Sequence, residues 1–190
     1  MEHRDHVMLL REGVDGTDGS HGSHSHAGEV WADLGSGKGA FTLALADLLG
    51  PGAVIHSVDR DEQALQTQRQ TMDAHFPDAS VEYRRADFTG PVDLPPLDGV
   101  LMANSLHFVQ DKERVLKEVA AWLRPGGRLL VVEYDSDRGN TWVPYPMSYR
   151  TWEALAARAG FLDTHLLRTI PSRFLGRIYS ALSLSPGSES

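Results

Sequence analysis

Cysteine is absent from this sequence of 190 residues. The chain can therefore form no disulfide and no thiolate metal site, and it cannot use a cysteine nucleophile, as covalent methylation of cytosine C5 does. Long apolar runs are also absent. None approaches the ~20 residues that cross a bilayer, and the polar start from Met1 to His6 is not typical of a signal peptide. We therefore expect a cytoplasmic protein with no membrane partner.

Basic residues are scarce and scattered. Lys and Arg number 18 against 26 Asp and Glu, which gives a net charge of -8. A surface of that sign repels phosphate backbones unless it carries a local basic patch. Arg84-Arg85 is the only adjacent pair of basic residues. No nucleic-acid partner is expected.

The first 28 residues differ in composition from the rest. Residues 7–11 fit one helical turn or a short helix, whereas residues 13–28 are almost entirely Gly, Ser, Asp and His, too polar to bury a core. We therefore divide the chain into an N-terminal arm with a mobile loop, 1–28, and one domain, 29–190. His21, His24 and His26 could bind a metal. A solvated linker without metal is favoured, because no acidic partner stands at a fixed helical spacing.

From Glu29 onward, short apolar runs alternate with stretches of helical periodicity. Such alternation predicts right-handed βαβ units and a mostly parallel sheet in an α/β fold. The tail breaks this rhythm with two runs joined by a turn around Pro171-Ser172, a link that permits only antiparallel pairing. Strands are expected at 30–34, 54–58, 81–85, 99–103, 128–133, 161–169 and 174–184, and helices at 40–49, 61–75, 111–123 and 148–159.

A glycine-rich turn, Asp33 to Gly39, follows the first expected strand. Such a turn between a strand and a helix lets a ligand approach the backbone and exposes free N–H groups to it. The glycines do not identify the ligand, because Gly35-x-Gly37-x-x-Ala40 also satisfies the dinucleotide pattern. A nicotinamide-dependent oxidoreductase is therefore one candidate.

Acidic residues at the ends of the strands favour a cationic ligand. Asp59 ends the second strand, where a carboxylate can accept both ribose hydroxyls. Asp33, directly before the glycines, would repel a pyrophosphate and attract a sulfonium and an amino group. Asp87 follows the third strand and could accept from an adenine amine, with Phe88 packed on the ring. This pattern suits S-adenosylmethionine better than a dinucleotide.

Taken in order, these motifs resemble the class I S-adenosylmethionine-dependent methyltransferases over about residues 29–184. The resemblance implies a Rossmann-like three-layer sandwich whose seven-stranded, mostly parallel sheet ends in an antiparallel hairpin. It also implies cofactor contacts at the methionine part, the ribose, the adenine and the sulfonium. Two features depart from the family: Lys38 replaces a small or polar residue, and the N-terminal cover is short. The segments that carry the resemblance are 30–42, 58–59, 86–88, 98–108 and 123–129, and the implied cofactor residues are Asp33, Gly35, Ser36, Gly37, Asp59, Arg60, Asp87, Phe88, Asn104 and Ser105.

Methyl transfer is a direct displacement, so a base is needed only if the acceptor must lose a proton. His107, after the fourth strand, is the candidate base, and packing under the next helix is the alternative role. Glu133 and Tyr134 end the fifth strand, where they could face the acceptor or satisfy loop amides. Trp142 and Tyr145 could form a lid or acceptor wall, or pack where the N-terminal cover is thin.

The acceptor is expected to be a small molecule. Residues 104–107 read Asn-Ser-Leu-His, which does not resemble the Asn/Asp-Pro-Pro-aromatic loop of methyltransferases that modify base amines. The paired-glutamate loop of protein-arginine methyltransferases is missing as well. The acceptor atom and the oligomeric state are not specified by the sequence. A non-catalytic S-adenosylmethionine-binding subunit is a further alternative.

Overall fold

The computed structural model describes residues 1–16 and 25–187. Seven strands form one sheet in the order β3-β2-β1-β4-β5-β7-β6. The first five strands run parallel, and β7 is antiparallel to both β5 and β6. The strands are β1 (Val30–Leu34), β2 (Val54–Asp59), β3 (Ser80–Arg85), β4 (Leu97–Ala103), β5 (Leu123–Tyr134), β6 (Leu162–Ser172) and β7 (Gly176–Leu184). The predicted fold, a mostly parallel seven-stranded sheet with an antiparallel hairpin, is confirmed.

Helices cover both faces of the sheet and give three layers. They are α1 (His3–Asp15), α2 (Ala40–Leu49), α3 (Glu62–His75), α4 (Lys112–Trp122) and α5 (Tyr149–Arg158), with a 3-10 turn at Leu106–Phe108. Side chains of α1, α2 and α3 pack with Trp31 and Leu101 on one face. Side chains of α4 and α5 pack with Ala32 and Val100 on the other. Alternate residues of β1 and β4 thus enter opposite cores, as expected for strands buried on both faces.

The starts of three helices follow from their capping residues. Asp61 accepts hydrogen bonds from the amides of Gln63 and Ala64 and is the N-cap of α3. Asp111 and Ser148 cap α4 and α5 in the same way. These caps place the helix starts, and therefore the loops before them, at the edge of the sheet where the parallel strands end.

The N-terminal helix is longer than the short helix expected at residues 7–11. It runs from His3 to Asp15 and buries Val7, Leu10 and Val14 against α2 and the β5–β7 side of the sheet. Tertiary packing of this apolar stripe stabilises more of the helix than local propensity alone. Of the three histidines considered as metal ligands, His21 and His24 lie outside the described residues. His26 Nδ1 lies 3.0 Å from Glu29 Oε1.

Two expectations about the later strands were wrong in detail. Strand β5 begins at Leu123, paired with Leu97, and not at residue 128, because the register shift between Leu97 and Gly99 accommodates the Pro125-Gly126-Gly127 segment. The hairpin turn lies after Ser172, so Phe174 is in the turn and not in a strand. Pro171 stays inside β6 and pairs with Arg177. An edge strand tolerates this proline because one side needs no N–H donor.

No helix within residues 1–16 and 25–187 is long and apolar enough to span a membrane.

Candidate cofactor and active site

The glycine turn lies between β1 and α2 and is anchored to β2. The amides of Gly35 and Ser36 donate to the carbonyl of Val58 at 2.8 and 3.1 Å. Gly35 has a φ of +78°, and a Cβ there would lie 2.5 Å from Ser105 Cβ. Only glycine fits this position, because both the backbone angle and the close approach of the loop after β4 exclude a side chain.

Asp59 connects the end of β2 to this turn. Its Oδ2 accepts from the Gly37 amide at 2.7 Å, and its Oδ1 accepts from the Asp61 amide at 2.8 Å. Each carboxylate oxygen keeps a second lone pair, so both can still accept from a ligand's hydroxyls. The side chain is thus held in place before any ligand binds.

A cavity of about 430 Å³ opens at this edge of the sheet. It brings together seven of the ten cofactor residues implied by the resemblance, from the ends of four strands. Its lining also includes five residues that are not among the ten: Asp61, Ala86, Thr89, Phe108 and Val109. The seven implied residues are Gly35, Asp59, Arg60, Asp87, Phe88, Asn104 and Ser105.

Two polar atoms of this cavity lack a partner. Asn104 Oδ1 and Ser105 Oγ are buried and form no hydrogen bond with the described residues. Asn104 also has a φ of +53°, an unusual backbone conformation for a residue other than glycine. Buried polar atoms in folded proteins are nearly always satisfied, so these two point to a ligand or ordered water in the cavity.

Asp87 and Phe88 follow β3 at the far side of the cavity. Asp87 Oδ1 accepts from the amide and the hydroxyl of Thr89 at 2.9 and 2.7 Å. These hydrogen bonds lower the pKa of Asp87 below its ordinary value. Asp87 is therefore an ionised acceptor at neutral pH, and its other oxygen accepts nothing from the described residues.

The three remaining implied residues do not line the cavity. Asp33 is buried beneath the turn and accepts from Thr42 Oγ1 at 2.6 Å, and burial raises its pKa to about 7. Ser36 Oγ accepts from Ser57 Oγ at 2.8 Å, and Gly37 supplies the amide that holds Asp59. These residues support the turn from below. Ser57 has no signal in the sequence other than its place within β2.

His107 and Glu133 form a buried pair beside the cavity. Glu133 Oε2 lies 2.7 Å from His107 Nδ1, and Glu133 Oε1 accepts from the amides of Leu106 and His107 at 2.9 and 3.1 Å. Glu133 is fully buried. It therefore satisfies loop amides, one of the two roles left open for it, and has no surface to offer an acceptor. An ionised Glu133 requires His107 Nδ1 to carry the proton, which leaves Nε2 as the basic nitrogen.

Aromatic side chains surround this pair. The His107 ring lies 4.3 Å from that of Phe108 and 5.8 Å from that of Tyr134 between centroids. Tyr134 also lines a second cavity of about 520 Å³ between the hairpin turn and the start of α1. The Tyr145 amide donates to the His107 carbonyl, whereas Trp142 stands largely in solvent. Tyr134 and Tyr145 thus lie near His107, and Trp142 does not pack against the core.

Within the two described stretches of the chain, no group of three or more His, Asp or Glu side chains is arranged to hold a metal ion.

Residues 32–131 match a family model described as "Methyltransferase domain". The match covers β1 to β5, including the glycine turn, Asp59 and the residues after β4. The chain belongs to this methyltransferase family. Membership decides against the nicotinamide-dependent oxidoreductase that the glycine pattern alone had left open.

Two curated relatives of the chain are named for different methyl acceptors. A ubiquinone/menaquinone biosynthesis C-methyltransferase from Hahella chejuensis is 33% identical over 109 residues, which are 57% of this chain and 44% of that protein. An arsenite methyltransferase from Aquipseudomonas alcaligenes is 30% identical over 158 residues, 73% of this chain and 46% of that protein. The chain thus spans less than half the length of either relative.

A solved structure supports the fold. The magnesium protoporphyrin IX methyltransferase of Synechocystis PCC 6803, crystallised with bound S-adenosylmethionine, superposes with a TM-score of 0.70 at 16% identity. The superposition covers 96% of this chain and 79% of that one. This agreement confirms the Rossmann-like architecture of the class I methyltransferases.

Proposed function

We propose that this methyltransferase transfers the methyl group of S-adenosylmethionine to a small molecule by direct displacement. The observation that carries the proposal is the cavity beside the glycine turn, where Asp59 is held ready and Asn104 and Ser105 present unpartnered atoms. When bound, S-adenosylmethionine supplies a methyl group already activated by a sulfonium.

The residues present fit this cofactor. Asp59, with Arg60 beside it, would accept the ribose hydroxyls, and Asp87 would accept from the adenine amine, with Phe88 against the ring. Asn104 and Ser105 would lie at the sulfonium. Gly35 leaves room for close approach, while Asp33, Ser36 and Gly37, which do not line the cavity, would support the turn that meets the methionine part. When ionised, Asp33 would also favour that cationic part electrostatically.

His107 is proposed as the general base, with Glu133 as its positioning residue. Glu133 accepts from Nδ1, so Nε2 remains available to take a proton from the acceptor. An acceptor that loses a proton carries a C–H, O–H, N–H or S–H group at the atom that takes the methyl. The absence of cysteine in the chain also disfavours arsenite, because soft ions prefer thiolate ligands. Between the chemistries of the two relatives, the carbon acceptor fits these residues better.

Tyr134 and Tyr145 are proposed to contact the acceptor. They approach His107 from two sides, through the Tyr134 ring and the Tyr145 backbone. Trp142, on the same loop as Tyr145, would contact an acceptor only after a movement of the loop, because its ring lies mostly in solvent. The cytoplasmic location and the lack of a nucleic-acid partner remain predictions from the sequence.

Calorimetry with S-adenosylhomocysteine and with NADH tests the cofactor. We expect S-adenosylhomocysteine to bind and NADH not to bind. Binding of NADH alone would overturn the proposal.

Transfer of labelled methyl from S-adenosylmethionine to a panel of phenols, hydroquinones and enolisable carbonyl compounds tests the acceptor class. Cofactor binding together with failure to methylate any member of a broader panel, and with a co-purifying partner, would instead indicate a non-catalytic subunit.

A further inference from the structure

Large aromatic side chains are exposed at one edge of the molecule only. The exposed fractions are 74% for Trp142, 58% for Phe108, 50% for Phe174 and 42% for Tyr145. Every other Trp, Tyr and Phe of the chain is buried or half-buried. Exposed aromatic groups of this size cost solvation free energy and commonly mark a surface that meets an apolar partner.

These four residues belong to three loops at the carboxyl edge of the parallel strands. Phe108 follows β4 and lines the cofactor cavity. Trp142 and Tyr145 lie in the loop after β5. Phe174 forms the β6–β7 turn, which reaches the same edge because Ile178 of β7 pairs with Tyr134 at the end of β5. We call these four side chains the aromatic rim; Phe108 lines the cofactor cavity and Phe174 lines the second cavity.

Basic side chains accompany the rim, although the chain as a whole is acidic. Lys112 Nζ lies 5.6 Å from the centre of the Tyr145 ring. Arg138 shares the loop of Trp142, and Arg173 precedes Phe174; both are exposed. Lys112 thus contacts a ring of the rim, and two of the loops carry an exposed arginine.

The acidic residues of the same loops accept hydrogen bonds from amides at the starts of helices. Asp111 accepts from an amide of α4, and Asp135 and Asp137 accept from the amides of Tyr149 and Ser148 at the start of α5. Their charges face the positive ends of helices, which offset them. The rim therefore presents rings and cations outward, the combination that proteins place at the headgroup region of membranes.

We propose that the aromatic rim docks the protein on a phospholipid surface, with the cavities opening toward the lipid. Acidic side chains at the two cavities, Asp59, Asp61 and Asp87 at one and Glu2 and Asp5 at the other, would be repelled by anionic headgroups, so the attraction depends on the rings of the rim and on Lys112, Arg138 and Arg173. The expectation of no membrane partner rested on the lack of a spanning segment, and surface docking needs none. A lipid-dissolved acceptor would then reach His107 without crossing water, a consequence that rests on the proposed function. The docking itself does not.

Trp142 provides a built-in reporter for the test. It is the exposed one of four tryptophans, since Trp31 and Trp152 are buried and Trp122 is half-buried. The full chain is mixed with vesicles of phosphatidylcholine, or of phosphatidylcholine with phosphatidylglycerol, and its sedimentation and tryptophan emission are measured. We expect co-sedimentation, a blue shift of the emission and quenching by brominated lipids. Absence of sedimentation with both compositions would overturn the proposal.

Variants separate the rim from non-specific adsorption. Trp142→Ala with Phe174→Ala should lower vesicle partitioning by about tenfold, and Arg138→Ala with Arg173→Ala should lower it mainly on anionic vesicles. Leu166→Ala is the matched control, because Leu166 is comparably exposed but lies on β6 away from the rim.

An equal loss in Leu166→Ala would contradict the proposal. So would a Trp142 blue shift caused by S-adenosylhomocysteine alone and not by vesicles, which would indicate a lid. Affinity for S-adenosylhomocysteine, measured without vesicles, tests the proposed function separately.

Discussion

The two halves of the site are built in different ways. On the cofactor side, each residue follows directly from the end of a strand, and backbone amides or neighbouring side chains fix it in place, as they do Asp59 and Asp87. On the proposed acceptor side, His107, Tyr134 and Tyr145 come from three different segments, and Tyr134 also lines the second cavity, whose other walls are the start of α1 and the hairpin turn. Residues that follow strand ends can thus hold the same cofactor in different proteins. Loops from distant parts of the sequence can differ and so bind different acceptors.

The largest effect is expected from removal of His107, the proposed base, which lies where the two halves meet. We expect His107→Ala to lower kcat by roughly 10²–10⁴-fold, the usual contribution of a general base. Affinity for S-adenosylhomocysteine should stay within twofold or so, because His107 does not line the cofactor cavity. Steady-state kinetics with an acceptor from the panel, together with calorimetry, check both parts.

Glu133→Gln extends that experiment to the positioning residue. The amide can still accept from the Leu106 and His107 amides, but it no longer carries the charge that fixes the proton on Nδ1. We expect a lower kcat with little change in KM for the acceptor, and an altered pH profile of kcat. A variant with native kcat and an unchanged profile would show that Glu133 only supports the loop.

The sequence predicted the secondary structure around the glycine turn well because its signals are local. The strand, glycine turn and helix at 30–49 and the caps such as Asp61 are set by neighbours a few residues apart. The length of α1 and the start of β5 were wrong because they depend on packing: Leu10 and Val14 are held by distant strands, and Leu123 by its pairing with Leu97. The burial of Asp33 and the pairing of His107 with Glu133 likewise depend on three-dimensional neighbours.

Asp33, which is buried beneath the glycine turn, should make the free energy of unfolding depend on pH. Burial raises the pKa of this carboxyl in the folded protein to about 7, above its ordinary value of 3.8. Between these values the folded state keeps a proton that the unfolded state releases, so the free energy of unfolding falls as pH rises from about 4 to 7 and changes little from this cause above 7. The loss amounts to roughly 4 kcal/mol.

Asp33→Asn should remove that dependence, because an amide does not titrate. Urea unfolding of both proteins at pH 5 and pH 8 gives the measurement. We expect the variant to gain stability relative to the native protein at the higher pH. An equal difference between the two proteins at both pH values would mean that Asp33 is ionised in the folded state throughout.

Asp59 tests the proposed contact with the ribose in the cofactor half. Asp59→Ala should weaken S-adenosylhomocysteine binding by ~1.5–3 kcal/mol, through the loss of charge-assisted hydrogen bonds to the ribose. The turn also loses the acceptor of the Gly37 amide. Asp59→Asn is the matched variant, since it keeps an acceptor without the charge and should retain part of the affinity. Unchanged calorimetric affinity in Asp59→Ala would place the ribose elsewhere.

The smallest expected effects come from two helix caps, one in each half of the site. Asp61 caps α3 and lines the cofactor cavity, whereas Ser148 caps α5 on the acceptor side and does not. Substitution of either residue by alanine should lower the free energy of unfolding by about 1 kcal/mol, because helix amides lose their acceptor. Only Asp61→Ala should also reduce S-adenosylhomocysteine affinity, since Asp59 Oδ1 accepts from its amide and the loop would loosen. Equal affinities in the two variants would show that the cofactor half does not depend on the order of this loop.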